Sequence, residues 1–244
     1  FYSTGALFAH WIPLRALDDT DQAVQVWVRR DAPGVEVVDD WSGIGQRTTA
    51  SGTVRFNDVP VADGDVVALV PAAQRPGLAG PVSQLIQAAI DAGIAQAAFD
   101  DALAFVQTRT RPWTDSGATQ ATDDPYIIQE VGQLQIEVAA AHQVLLHAAR
   151  ELDEIARHPV TDATSAQASI TVARAKILTT EAALNASEKL FALAGSSATR
   201  EAHNLDRHWR NARVHTLHDP VRWKYHLLGN YLLNGVLPRR HQWN

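Results

Sequence analysis

Residues 124–156, "DPYIIQEVGQLQIEVAAAHQVLLHAARELDEIA", form the stretch that decides the fold. It opens with Asp124-Pro125, a typical helix start, because the Asp carboxylate accepts free backbone N–H groups and proline lacks an N–H that the first turn leaves unpaired. The larger apolar residues that follow recur with a helical period: Ile127, Val131, Leu134, Val138, Leu145, Leu152 and Ile155. The pattern predicts one long helix over 125–156 whose apolar face packs on other helices.

Helical periodicity continues on both sides of this stretch. It predicts further helices over 81–108, about 163–194, 200–213 and 220–234. In the first of them the larger apolar residues form a stripe of Val82, Leu85, Ile86, Ile90, Ile94, Phe99 and Leu103. The last begins at Asp219-Pro220, a second capping pattern, and ends at Gly235. Long helices with short loops predict an antiparallel α-helical bundle over residues 76–244.

The first part of the chain has a different pattern. Short runs rich in β-branched and aromatic residues alternate with turn residues, which is typical of antiparallel strands. The runs are 1–5, 8–16, 23–28, 35–38 and 51–61. A segment rich in Ala, Gly, Pro and Gln, residues 71–81, follows and is typical of a linker. The prediction is an α+β protein with a small antiparallel β-domain over 1–75, followed by the helical domain.

Composition excludes several classes of protein and site. The net charge is −6 and the basic residues form no long stripe, so we expect no nucleic-acid partner. The chain has no cysteine, which excludes disulfides, thiolate metal ligands and cysteine nucleophiles and fits a cytoplasmic location. No apolar run is long enough to predict a membrane span. The chain starts without Met and contains none, which suggests a piece of a longer polypeptide.

Residues 207–220, "RHWRNARVHTLHDP", concentrate arginine and histidine just before the predicted last helix. Arg207, Arg210 and Arg213 recur at a spacing of three and form one stripe of a short helix. Such a stripe favours pairing with carboxylates, either across the bundle or between subunits. The arginines and the tryptophan of this stretch are therefore interpreted as scaffold.

His215 and His218, three residues apart, leave three interpretations open. They are surface or packed histidines, two ligands of a metal ion, or a pair that transfers protons near neutral pH. No further ligand stands at a spacing diagnostic of a metal site, so no metal is predicted. The next residue, Asp219, has two interpretations as well: a helix cap or a catalytic carboxylate.

Three separated stretches resemble the flavin-dependent monooxygenase branch of the acyl-CoA dehydrogenase superfamily. They are "DDWSGIGQRTTASG", "TRTRPWTDSGATQATDDPY" and "RHWRNARVHTLHDPVRWK". The resemblance spans nearly the whole chain and implies the middle β-domain and the C-terminal helical bundle of that fold. The N-terminal helical domain and the first strands of the β-domain have no counterpart in it. It also implies a homotetramer whose helical bundles pack together.

The resemblance implies a role for each candidate site residue. In this branch reduced flavin reacts with O₂, and His218, assisted by His215, manages the protons of that reaction. Ser3 corresponds to a hydroxyl that hydrogen-bonds the flavin ring.

Three further residues are implied in cofactor binding. Trp41 lines the pocket beside the flavin. Arg111 holds the flavin phosphate across a subunit boundary, and Ser197, in the loop after Gly195, adds a hydroxyl and a backbone N–H.

The predicted function is a monooxygenase that uses O₂ and reduced FMN, delivered by a separate flavin reductase, on a small apolar or organosulfur substrate. The first alternative is an FAD-dependent acyl-CoA dehydrogenase. Against it stands the pair Asp219-Pro220, because the dehydrogenases carry a Glu followed by Gly at this point. The second alternative is a non-catalytic fragment or a helical assembly module.

Overall fold

The computed structural model describes residues 2–69, 75–241 and 243–244. The chain divides into two compact units, Phe1–Arg75 and Pro76–Asn244. The first unit contains two small sheets and the second contains five α-helices among the described residues. The predicted α+β class is confirmed. The predicted linker over 71–81 lies partly outside the described residues.

The first unit is built from short antiparallel strands. Their bounds are β1 Tyr2–Ser3, β2 Trp11–Leu17, β3 Ala23–Arg29, β4 Val35–Val38, β5 Gly52–Phe56 and β6 Val66–Ala68. They form two sheets, of order β1-β5-β4 and β2-β3-β6. Alternate residues of β3 are buried, and Val24, Val26 and Val28 pack with Ile12 and Val54 in one core.

Each of the five predicted strand runs contains a strand, although the strand within 8–16 begins only at Trp11. Strand β6 was not predicted. Its three residues are all exposed, so it shows no alternation of buried and exposed positions that the sequence pattern would reveal.

The second unit is a bundle of helices. Their bounds are α1 Ala79–Thr108, α2 Pro125–Ala156, α3 Asp162–Ala194, α4 Asp206–His215 and α5 Arg222–Asn234. Helix α2 begins as predicted, since the Asp124 carboxylate accepts the backbone N–H of Tyr126 at 2.9 Å. Helix α5 ends at Gly235, whose φ of 65° is the left-handed conformation that glycine adopts without strain.

Two helix starts differ from the prediction. Helix α5 begins at Arg222, its N-cap is Val221, and no side chain caps it, so the interpretation of Asp219 as a cap was wrong. Helix α4 begins at Asp206, because two short 3₁₀ turns occupy residues 196–199 and 201–203 before it. The predicted helix over 200–213 is thus shorter at its start.

The central helix of the bundle is α3, which is buried over most of its length. It runs parallel to α1, since Ser165 near its start donates to the Gly77 carbonyl and Thr110 donates to the carbonyl of Ala194 at its end. Helix α2 runs antiparallel to it, with Lys189 of α3 paired with Glu130 at 2.5 Å. Many of the buried positions are alanines, which let the helices approach closely.

Helix α1 buries its small residues and exposes several of its large ones. The buried face contains Ala88, Ala92, Ala95, Ala98 and Ala102 together with Gln84 and Asp91. Val82, Ile86 and Ile90 are 43%, 56% and 41% exposed. Three of the seven residues of the predicted stripe therefore face away from the bundle core. No helix in the described ranges is both long and apolar enough to cross a membrane.

Candidate functional site

His215 is the last residue of α4 and lies inside the bundle against α1. Its Nδ1 is 2.6 Å from Oδ1 of Asp91, a residue that is fully buried. His208, two helical turns earlier on α4, lies on the same face and contacts Asp101 of α1 at 2.8 Å. The two contacts show that α4 runs antiparallel to α1 and presents its histidines to it.

Asp91 is the centre of a buried polar network that joins three helices. Its Oδ2 accepts from Lys176 Nζ at 2.8 Å and from Thr180 Oγ1 at 3.0 Å, and these two residues are one turn apart on α3. Burial alone would raise the pKa of the Asp91 carboxyl, but the hydrogen bond from His215 and the charge of Lys176 together hold it below its ordinary value. Both contacts favour the ionised form of the Asp91 carboxyl.

A second buried ion pair lies beside the first. Lys224 Nζ is 3.6 Å from Oδ2 of Asp219 and also donates to the Trp243 carbonyl. Burial lowers the pKa of Lys224, the Asp219 charge opposes this shift, and the nearby charge of Lys176 adds to it. The other oxygen of Asp219, Oδ1, is buried and has no hydrogen-bond partner among the described residues.

His218 carries the exposed imidazole of the pair. Its backbone N–H donates to the His215 carbonyl at 3.1 Å, and the two rings stack with centroids 6.4 Å apart. The spacing of three residues thus brings the two imidazole rings side by side. His218 also lines a cavity of about 670 Å³, a volume that suits a small-molecule ligand. The wall of this cavity includes Asp219, Trp223, Lys224 and Trp243.

Arg111 and Ser197, the predicted phosphate ligands, lie on neighbouring segments. Both are exposed, and Ser197 sits in the 3₁₀ turn that follows α3. The segments are joined by a hydrogen bond of 3.3 Å from Thr110 to the carbonyl of Ala194. The structure therefore brings these two residues to the same end of the bundle.

That end of the bundle is far from the histidine pair. Helix α1 continues from Asp91 to Thr108, a rise of about 25 Å at roughly 1.5 Å per residue. Arg111 follows the helix end, whereas His215 contacts Asp91. Within one chain, the predicted phosphate ligands and the predicted proton-transfer residues form two separate groups.

Ser3 and Trp41 lie in the first unit. Ser3 ends β1, opposite Gly52 of β5. The Trp41 indole donates to the Gln46 carbonyl at 3.0 Å and meets the Tyr2 ring edge-on at 5.4 Å. The backbone at Gly43 approaches the indole so closely that a Cβ there would lie 2.4 Å from the ring. Trp41 is thus held rigidly beside the strand that carries Ser3.

The arginine stripe of α4 has mixed roles. Arg207 pairs with Asp101 of α1 at 2.5 Å, which is the predicted pairing across the bundle. Arg210 pairs with Asp206 at 2.8 Å within α4 itself. Arg213 instead donates to a threonine hydroxyl. Within the described part of the chain, no group of three or more His, Cys, Asp or Glu side chains is arranged to hold a metal ion.

The buried charges around His215 and His218 were not predicted from the sequence. Asp91, Lys176 and Lys224 were not singled out, because each appears as an ordinary helix residue. One signal was present for Asp91, which is the only charged residue between Ala79 and Phe99. A lone charge on an otherwise uncharged helix segment indicates a buried partner, since an unpaired charge is costly to bury.

The chain is similar in sequence to a known protein family and to several named proteins. The model of the family described as "Acyl-CoA dehydrogenase, C-terminal domain" matches residues 85–223. Over 214 residues the chain is 36% identical to dibenzothiophene monooxygenase of Mycolicibacterium goodii, with 84% of this chain and 52% of that protein covered. It is 34% identical to the probable FMNH2-dependent monooxygenase SfnC of Pseudomonas putida, with 84% and 53% covered.

A solved structure is similar over the whole chain. The complex of TdsC from Paenibacillus sp. A11-2 with FMN and indole superposes with a TM-score of 0.93 and 30% sequence identity. The superposition covers 99% of this chain and 65% of that one. The chain spans about half the length of the relatives that it matches in sequence.

Proposed function

Because the chain belongs to the acyl-CoA dehydrogenase family, in its dibenzothiophene and FMNH2-dependent monooxygenase branch, we propose that it is the catalytic part of such a monooxygenase. The enzyme transfers one oxygen atom of O₂ to a small apolar or organosulfur substrate. A separate flavin reductase supplies the reduced FMN. The names of the sequence relatives and the ligands of the TdsC complex support this choice.

One observation carries the proposal: an exposed imidazole opens on a ligand-sized cavity and stacks on a buried imidazole that is anchored to a carboxylate. His218 is the ring that meets the substrate side, and His215 is the ring behind it. An imidazole gives or takes a proton near neutral pH, which the oxygen transfer requires at its active centre. His218 thus moves the proton, and His215 supports it.

The residues present fit reduced FMN, which when bound supplies the electrons that activate O₂. The exposed Arg111 guanidinium and the Ser197 turn are suited to a phosphate, because they offer a planar set of donors, a hydroxyl and backbone N–H groups. The indole of Trp41 offers an apolar wall for the flavin or the substrate. Ser3 offers a hydroxyl for the ring.

The site is completed by a second copy of the chain. Asp91, which contacts His215, and the end of α1 next to Arg111 are separated by a helical rise of about 25 Å. Arg111 of one copy therefore grips the phosphate of the flavin that serves His218 of another. The exposed aliphatic side chains of α1 and those of Leu232 and Leu233 on α5 provide apolar surface for assembly into a homotetramer.

An acyl-CoA dehydrogenase is the second candidate, and one observation favours it. Asp219 stands at the position of the dehydrogenase base, and its Oδ1 is unpartnered among the residues described. Its Oδ2 is however paired with Lys224 at 3.6 Å, and both residues line the cavity together with His218.

The experiment that decides is turnover by the complete protein with FMN, a flavin reductase, NADH and dibenzothiophene under isotopically labelled O₂. A monooxygenase places one labelled atom in the product and the other in water. Reduction of bound FAD by an acyl-CoA without O₂ consumption would identify the dehydrogenase instead. If the protein binds neither FMN nor FAD, the remaining interpretation is a non-catalytic helical assembly module.

A further inference from the structure

We infer that Asp91 is the positioning residue of this site, which fixes the orientation of His215 and keeps the proton of its imidazole on Nδ1. The inference rests on the proposed function, in which His215 supports proton transfer by His218. It concerns a residue on a different helix, 124 positions before His215 in the chain.

The two oxygens of Asp91 bind different partners. Oδ2 accepts from Lys176 and Thr180, while Oδ1 faces Nδ1 of His215 at 2.6 Å. Lys176 balances the negative charge, so an ionised carboxylate is tolerated in full burial. The second oxygen is thereby left for the histidine.

The contact between Oδ1 and Nδ1 assigns the tautomer of His215. An ionised carboxylate only accepts hydrogen bonds, so a contact of 2.6 Å requires that Nδ1 of His215 carries the hydrogen. In the neutral ring Nε2 is then an acceptor, and among the residues that the structure describes it has no hydrogen-bond partner. Turning the ring by half a revolution would place a carbon against Asp91 and lose the bond. His218 therefore stacks on an imidazole of fixed orientation and fixed polarity.

The bundle contains a second contact between a histidine and an aspartate among the described residues, and it differs from the contact between His215 and Asp91. His208 meets Asp101 through Nε2, and Asp101 is a third exposed and also binds Arg207. That cluster lies near the opposite end of α4 and does not line the cavity. The Asp91 contact differs, because it is fully buried and its histidine stacks on a cavity residue.

The test begins with the tautomer itself. In the protein labelled with ¹⁵N-histidine, NMR coupling patterns distinguish a protonated from an unprotonated ring nitrogen, and a His215→Gln variant assigns the signals. At a pH where the ring is neutral we expect a protonated Nδ1 and an unprotonated Nε2. The opposite pattern would overturn the inference.

A second experiment removes the Asp91 carboxylate together with the charge of Lys176, so that no unpaired charge stays buried. Asp91→Leu is combined with Lys176→Met, because a buried pair replaced as a unit is tolerated better than one broken by a single change. Leucine offers Nδ1 no acceptor, so we expect the His215 proton to move to Nε2 in the double variant. The matched control, Asp101→Leu, makes the same change at the His208 contact and leaves the His215 tautomer unchanged. Retention of the Nδ1 proton in the double variant would contradict the inference.

Turnover of the complete enzyme links the tautomer to the reaction. The double variant is expected to lower the rate by about 10- to 100-fold, the range found when an outer group that orients a histidine is lost. Asp101→Leu should retain the parental rate. A shifted tautomer with an unchanged rate would overturn the positioning role. Since the tautomer is read without flavin or substrate, failure of the monooxygenase assignment is seen separately.

Discussion

The imidazole rings of His215 and His218 stack at 29° with centroids 6.4 Å apart, although the first residue is buried and the second is exposed. The pair thus crosses the boundary between the bundle interior and the cavity. One ring is held by Asp91, and the other faces the space where a ligand fits. In the proposed function the buried ring supports proton transfer and the exposed ring carries it out, so substitutions at the two residues are expected to have different effects.

His218→Ala is expected to lower oxygenation turnover by about 10²–10⁴-fold, the usual reach of a positioned acid or base. FMN binding should stay nearly unchanged, because His218 is not among the proposed phosphate ligands, Arg111 and Ser197. Steady-state rates and a fluorescence titration of FMN measure the two quantities. His142→Ala, an exposed histidine on α2 outside the cavity, is the control and should be silent. Full activity of His218→Ala would exclude a proton-transfer role.

Asp219→Asn is expected to destabilise the protein by up to about 3 kcal/mol, because it leaves the buried ammonium of Lys224 without its counter-charge. The pKa of Lys224 is already lowered by burial, so the unfolded chain holds this proton up to a higher pH than the folded chain. The contribution of Lys224 to the free energy of unfolding therefore rises as the pH increases toward the pKa of an ordinary lysine.

Urea unfolding at several pH values checks the prediction. The deficit of Asp219→Asn should be largest near neutrality and shrink in alkaline solution, where Lys224 is neutral in both states. Asp153→Asn, an exposed residue near the end of α2, is the control. A silent Asp219→Asn would restore the capping interpretation that the position of α5 contradicts.

The two Asp-Pro pairs show what sequence reasoning can and cannot reach here. Both have the same local pattern, and helix periodicity follows both. Asp124 caps α2 through local N–H groups, whereas Asp219 turns toward Lys224 and the cavity wall. Local capping chemistry predicted the first outcome, but only the packing of the last helix decides the second.

The bounds of α1, α2 and α3 were predicted to within two residues, because caps and periodicity are local properties of the chain. The buried face of α1 was not, since the large side chains of Val82, Ile86 and Ile90 are exposed and alanines fill the core. The hydrogen-bond network around Asp91 could not be predicted from the sequence either. Its partners Lys176 and His215 lie 85 and 124 residues away in the chain, and no local pattern links them.

Arg111→Ala is expected to weaken FMN binding by about 1.5–3 kcal/mol, the scale of a lost hydrogen bond to a charged group. Riboflavin, which lacks the phosphate, should bind the parent and the variant alike. Titration of both flavins separates loss of a phosphate contact from general damage to the site. Arg150→Ala, an exposed arginine on α2, is the control and should bind FMN like the parent. An equal loss for riboflavin would contradict the phosphate role.

Complementation between variants tests the shared site most directly. If Arg111 of one copy holds the phosphate of the flavin that serves His218 of another, Arg111→Ala lowers turnover at every site of its own homotetramer when FMN is limiting, and His218→Ala lowers it at any FMN concentration. In mixed tetramers some sites combine the intact Arg111 of one copy with the intact His218 of its neighbour, so part of the activity returns. Co-expression of the two variants, purification by two different tags and a turnover assay measure this recovery.

The controls for complementation separate assembly from chemistry. Two variants at the same position, such as His218→Ala and His218→Gln, leave no intact site in any mixed tetramer and should recover nothing. Ile86→Asp, which places a charge on the exposed aliphatic face of α1, should weaken assembly and lower the mass measured by light scattering. No recovery in tagged hybrids of confirmed tetrameric mass would show that each flavin is held by one copy alone, and would refute the shared site.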